Sequence, residues 1–318
     1  MIQTVLDRSS VFGRLPEIDG KIKWLDTGLN HRNYIFWVKS EETAANEDPD
    51  TLPAYLLRIP LDDDSKNSSD DPIEKLRREA RTLQILEKCS LPFEVPKFIG
   101  FTGEDKVTGL IETLVPAVSL KYHEKSTDHA LFEIMTIAQA AATIHRLPME
   151  LFSHLPRYAD SRQHVLTELK EIPPDFFDED AEARIARDWI LDHLTKDRPA
   201  VLLHGDLLAQ NVLWDRLSNC VGVVDWEYAK FGDPAYDLAI VTRGHAKLFG
   251  CPNGLGKLLN SYLEFGGIPI TKNDVINHEL LLYLHLHWRM LRDYHAGKRA
   301  YISQEYRNQL LTVLRRIS

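Results

Sequence analysis

Three oxygen-bearing side chains fall close together in the sequence, and their types favour one kind of chemistry. Asp206 and Asn211 are separated by four residues in HGDLLAQN, and Asp225 closes the apolar run VGVVDW. The segments NVLW and VGVV can pair across the turn DRLSNC, which predicts a β-hairpin that lets Asp206, Asn211 and Asp225 converge. Two carboxylates and an amide oxygen are hard donors, suited to Mg²⁺ and poor for softer ions such as copper. Magnesium held in this way implies a phosphate-bearing ligand.

The order Asp, four residues, Asn, then Asp on the next strand is that of kinase catalytic loops, where the first Asp orients the acceptor hydroxyl and the other two residues hold metal. The motifs HGDLLAQN (204–211), DWE (225–227) and GDPAYDLA (232–239) carry a resemblance to a known family. TIHRLP (143–148), LLRIP (56–60) and REA (78–80) add to it. The chain resembles the aminoglycoside phosphotransferase and choline kinase-like family of the protein-kinase-like fold, over most of its length and most specifically in the C-terminal block.

The resemblance implies an ATP (or GTP) and Mg²⁺-dependent phosphotransferase that moves the γ-phosphoryl group to a hydroxyl of a small molecule, an aminoglycoside-like antibiotic or an amino alcohol or sugar metabolite. It implies Asp206 as the catalytic base and Asn211 and Asp225 as metal ligands. Glu79 would pair with Arg58, the basic residue that touches the α- and β-phosphates. Ile111, Glu112 and Leu114 would offer backbone hydrogen bonds to the purine, and the segment 27–34, with Gly28 and Asn30, would cover the phosphates. Asp237 would buttress the catalytic loop. His204 reads as a packing and hydrogen-bonding residue, and Glu227 as a substrate contact by position alone. Gly28 is the one glycine where protein kinases have GxGxxG, and Arg58 stands where many have Lys; Lys39 is the alternative cation.

These residues need elements to hold them. Segments 34–38, 55–59, 95–101 and 110–114 read as strands of an antiparallel sheet. Asp71, Pro72 and Glu74 mark a helix start, and Ile73, Leu76, Ala80 and Leu83 lie on one face of the helix that follows, with Glu79 beside the stripe. Beyond Val115-Pro116 the pattern becomes helical, over 129–147, 180–194, 255–265, 274–294 and a final helix through Ile317. The predicted fold class is α+β. It is bilobal, with a small N-terminal nucleotide-binding lobe (1–116) of sheet plus helix and a larger, mainly helical catalytic and substrate-binding lobe (117–318) that carries the hairpin metal site. The nucleotide is expected between the lobes.

Composition narrows the partners. The 318 residues hold 38 Lys plus Arg against 47 Asp plus Glu, a formal charge of −9 that opposes nucleic-acid binding. Cys89, Cys220 and Cys251 form no CxxC pair, which fits a reducing cytoplasm, and no apolar run reaches the length of a membrane span. The expected partner is a small hydroxyl-bearing molecule, with no membrane and no nucleic acid. Residues 168–192 carry nine carboxylates against three basic residues, either a lining for an aminated substrate or a solvated helix face.

Other readings compete. A kinase-like protein that binds nucleotide without turnover is the alternative to an enzyme. A metal hydrolase using His204, Asp206 and Asp225 needs more ligands than the block supplies. His278, His285, His287 and His295 invite a metal, but positions 285 and 287 point about 200° apart on a helix and cannot chelate one ion. These histidines are expected to face loops and partners, the stretch around Trp288 and Tyr294 to be core, and the basic C-terminal segment to be a solvated face.

Overall fold

The computed structural model describes residues 18–25, 31–38, 54–61, 71–103, 108–120, 127–194, 197–242, 250–297 and 304–317. The chain divides into two compact units. One comprises Met1–Ala117 with Leu213–Glu227, and the other Val118–Val212 with Tyr228–Ser318.

In the first unit, β1 (Ile18–Leu25), β2 (His31–Val38), β3 (Ala54–Pro60), β4 (Phe98–Thr102) and β5 (Gly109–Thr113) form an antiparallel sheet in the order β1-β2-β3-β5-β4. Side chains alternate across it as strand geometry requires. Phe36, Leu57 and Ile111 pack on one face, while Leu110 packs on the other beneath Leu76 and Ala80 of helix α1 (Pro72–Leu86). The same alternation puts Arg58 next to Leu57 in sequence and opposite Leu110 in register, so a cation sits on the face that α1 covers. Helix α1 starts as its residues dictate: the Asp71 side chain accepts from the Ile73 N–H and Pro72 fills the first turn.

The described strands extend the reading at β1, whose alternating charges dilute the strand signal, and shift 95–101 to Phe98–Thr102. The hairpin of β7 (Val212–Asp215) and β8 (Cys220–Val223) forms as expected from its sequence, with Asn219 at φ 56° in the turn. Its residues 213–227 group with the sheet unit instead of the helical one. The cause is local pairing: Glu94 N–H donates to the Val221 carbonyl at 2.7 Å and Val223 N–H to the Glu94 carbonyl at 2.8 Å.

The second unit is mainly helical. It contains α2 (Thr127–Ile144), α3 (Ser161–Lys170), α4 (Pro174–Glu179), α5 (Ala181–Asp192), α6 (Ala235–Thr242), α7 (Gly254–Glu264), α8 (Lys272–His295) and α9 (Glu305–Leu314). A two-stranded antiparallel ribbon joins β6 (Val201–Leu203) to β9 (Lys230–Gly232). Helix α8 is the axis: α3, α5, α6 and α9 pack on it, and Leu280, Tyr283 and Leu284 are fully buried in the shared core. A capping box between Thr271 and Asp274 fixes its start. No described helix is long and apolar enough to cross a membrane.

Around α8, the expectations change for the basic C-terminal segment and for Tyr294. His278, His285 and His287 are buried and meet acidic partners of their own unit, with His278 at 3.1 Å from Asp233 and His287 at 3.1 Å from Asp180. Arg316 of the basic C-terminal segment is drawn in by Glu279, a fully buried carboxylate 2.9 Å away. Tyr294 is exposed, whereas Trp288 packs against the core as expected.

Candidate active site

The residues singled out by chemistry fall in both units. In the first, Arg58 is the centre of a buried charge cluster. Its guanidinium donates to Glu79 of α1 at 2.5 Å and to Asp225, just past β8, at 2.7 Å. Glu79 also accepts from the Trp226 N–H at 3.1 Å, so one carboxylate grips both the cation and the backbone beside Asp225. Asp225 itself has φ 69°, a left-handed conformation that Asp tolerates better than most residues and that is concentrated at functional sites.

Two more carboxylates, Glu112 and Glu227, and His31 complete the cluster. His31 Nδ1 lies 3.4 Å from Arg58 and 3.9 Å from Glu227. Burial pushes Glu79 up to about 8, and the neighbouring Glu112, Asp225 and Glu227 push it further against the pull of Arg58. Burial likewise raises Glu112 to about 7 despite Arg58. Burial and the Arg58 charge lower His31 to about 4, so its ring is neutral at pH 7. The cluster thus gathers four carboxylates around one guanidinium, and Glu79 Oε2 and Glu112 Oε2 are buried without a hydrogen bond.

Glu112 enters this cluster through its side chain, whereas its sequence reading concerned only the backbone. Ile111 lies in the sheet core, paired with Leu57. The Leu114 N–H already donates to the Ala54 carbonyl at 2.9 Å and the Thr113 N–H to the Lys97 carbonyl at 3.0 Å. Gly28, Asn30 and Lys39 lie outside the described residues.

In the second unit, the segment between β6 and β7 forms the loop that carries Asp206 and Asn211. The Asn211 amide nitrogen donates to the Asp206 carboxylate at 3.0 Å and to the Asp206 carbonyl at 2.8 Å, so both contacts use the amide nitrogen and neither uses the oxygen. Asp206 N–H donates to His204 Nδ1 at 3.2 Å, and His204 is fully buried, a loop-shaping role. Gly205 has φ 85°, and a Cβ there would run into the Tyr228 carbonyl, so this position admits glycine alone.

Asp237 of α6 holds the loop from beneath. Its two oxygens accept from His204 N–H and Gly205 N–H, both at 2.9 Å, and His145 Nε2 lies 3.2 Å from one of them. The Tyr262 hydroxyl, 2.8 Å from His145 Nδ1, extends the chain. Burial alone would raise the Asp237 pKa, but the His145 contact and the Gly205 N–H hold it below the ordinary carboxylate range. His145 lies inside the motif TIHRLP, a signal that marked the family without disclosing this contact. His31 and the Glu112 side chain had no sequence signal, because their partners are far away in the chain.

Hard oxygen donors, a cationic residue on a buried carboxylate and a clamped Asp-Asn loop are what magnesium-dependent phosphoryl transfer uses. Residues 30–270 match the family described as phosphotransferase enzyme family. The viomycin phosphotransferase of Streptomyces vinaceus is 27% identical over 218 residues, covering 61% of this chain and 68% of that protein. Among solved structures, the GDP complex of aminoglycoside 2'-phosphotransferase-IIIa is similar with a TM-score of 0.72 at 14% identity, over 100% of this chain and 98% of that one. A choline/ethanolamine kinase family protein from Mesorhizobium loti gives 0.58 at 16%, over 99% and 92%. The chain therefore belongs to the phosphotransferase enzyme family and is an enzyme of phosphoryl transfer to small-molecule hydroxyls.

Proposed function

We propose that this enzyme takes a purine nucleoside triphosphate with Mg²⁺ and transfers its γ-phosphoryl group to a hydroxyl of an aminated small molecule. The observation that carries this reading is the Asp206 carboxylate held by the Asn211 amide on a loop clamped by Asp237. Asp206 receives the proton of the acceptor hydroxyl and orients its oxygen for attack. Arg58, kept in place by Glu79 and Asp225, is the cation assigned to the α- and β-phosphates. The base is assigned to the stretch 111–114 and the acceptor contact to Glu227.

The donor set fits magnesium: Asn211 and Asp225 offer hard oxygens, and the carboxylate excess around Arg58, with buried oxygens lacking hydrogen bonds, favours an added cation. Magnesium held there would neutralise charge on the transferring phosphoryl group. The net charge of −9 and the acidic stretch 168–192 support an acceptor bearing amines, as does the similarity to an enzyme named for viomycin.

The test is phosphate transfer from labelled ATP or GTP to aminoglycosides, cationic peptide antibiotics, amino alcohols and sugars, with and without Mg²⁺. Transfer that requires Mg²⁺ and is lost in Asp225→Ala is the expected result. Mg²⁺-dependent nucleotide binding with no transfer to any acceptor would overturn the enzyme in favour of a binding protein.

A further inference from the structure

Helix α3 ends on two carboxylates of unlike setting, Glu168 paired with Lys230 and Glu171 exposed. Glu168 and Glu171 lie at its C-terminal end, His285 projects from α8, and one ligand atom from each falls within 4.8 Å of the others. Glu168 divides its two oxygens. Oε1 accepts from the Tyr158 hydroxyl at 2.8 Å and from Lys230 Nζ at 3.2 Å, whereas Oε2 lies 3.3 Å from His285 Nε2.

His285 is 7% exposed, and neither ring nitrogen makes a hydrogen bond. Burial lowers its pKa below the ordinary histidine range, so the ring is neutral and a lone pair is available. A nitrogen and an oxygen 3.3 Å apart without hydrogen-bond geometry match two ligands of one tetrahedral ion. With bonds of about 2.0–2.2 Å, such ligands stand roughly 3.3–3.6 Å apart.

Three further features favour a cation at this place. Burial and the neighbouring Glu168 raise the Glu171 carboxyl, a repulsion that a shared cation relieves. The carbonyls of the last turn of α3 add partial negative charge. Tyr158 and Lys230 hold the other oxygen of Glu168, the kind of outer support that orients a ligating carboxylate.

We infer that Glu168, Glu171 and His285 form a zinc site that pins α3 to α8, with a remaining coordination position open to solvent beside the exposed Glu171. The imidazole donor selects a transition ion over magnesium. Glu168 and Glu171 belong to the acidic stretch 168–192, but none of the three residues is among those assigned to proton transfer, magnesium or the nucleotide. Spacing within α8 offers His285 no second ligand on its own helix, and the other two groups come from α3.

The test uses the full chain, stripped with a chelator, titrated with Zn²⁺ against a fluorescent indicator and separately with Co²⁺. One equivalent of Zn²⁺, the visible bands of tetrahedral cobalt and a higher Tm with metal are expected. His285→Gln and Glu171→Gln should each weaken zinc at least ~10-fold and Tyr158→Phe by about 10-fold, while Asp225→Asn retains the equivalent. Absence of a stoichiometric equivalent, its survival in both ligand variants, or its loss in Asp225→Asn would overturn the site. Glu171 is exposed, so Glu171→Gln, checked for folding by circular dichroism, decides the matter even where His285→Gln does not fold.

Discussion

The charge cluster around Arg58 and the network around Asp237 are both buried, both acidic and both on motifs of the same family, yet they are balanced in opposite ways. Asp237 is one carboxylate whose oxygens meet two backbone N–H groups and a histidine. Around Arg58, four carboxylates crowd one guanidinium, and two of their oxygens are buried without a hydrogen bond. A matched carboxylate holds a loop still, whereas an over-supplied one is ready for a cation to join it. Under the proposed function, the first arrangement would fix the geometry for the acceptor and the second would receive the nucleotide and its cation.

Substitutions can break that division at either end. The largest effect is expected from Asp206→Asn, which keeps the Asn211 contact geometry but cannot take a proton; kcat should fall by about 10²–10⁴ with nucleotide affinity unchanged, read by single-turnover kinetics and nucleotide titration. Gly205→Ala forces the loop away from the Tyr228 carbonyl, and displacement of about 1 Å should cost about 10²-fold in kcat. If activity survives Gly205→Ala, the loop is not the rigid half of the pair.

Asp237→Asn replaces one accepting oxygen with a donor and leaves a buried N–H or imidazole without its match. A loss of about 1–3 kcal/mol is expected in denaturant unfolding. The smallest effect separates the two regions by pH. Glu112 binds its proton more tightly folded, at about 7, than an ordinary glutamate at 4.5, so the native state holds more protons between those values. Its contribution therefore makes stability fall as pH rises from about 4.5 to about 7. Glu112→Gln should flatten that decline in Tm, and an unchanged slope would mean that the cluster is not over-supplied.

The legibility of the two regions follows from how far their partners lie along the chain. Asp206, Asn211 and the hairpin were readable because the partners of the loop are within five residues of each other. Arg58 reaches Glu79 across 21 residues and Asp225 across 167, so only the family resemblance joined them, and His31 and the Glu112 side chain remained unread. Helices α3 and α4 escaped for a different reason: they are short, and Pro173 and Pro174 interrupt the period that would reveal a longer helix. The zinc ligands combine both difficulties, a short helix and a partner more than a hundred residues downstream.

The grip of Glu79 on both Arg58 and the Trp226 N–H has a mechanical meaning. Helix α1, the third strand and the residue that follows the hairpin are tied at one carboxylate, so a pull on α1 is transmitted to Asp225 without passing through any loop. Spectroscopic labels on the outer face of α1 and on the hairpin turn should accordingly keep a single, narrow distance through a full round of turnover, and Glu79→Ala should make that distance broad.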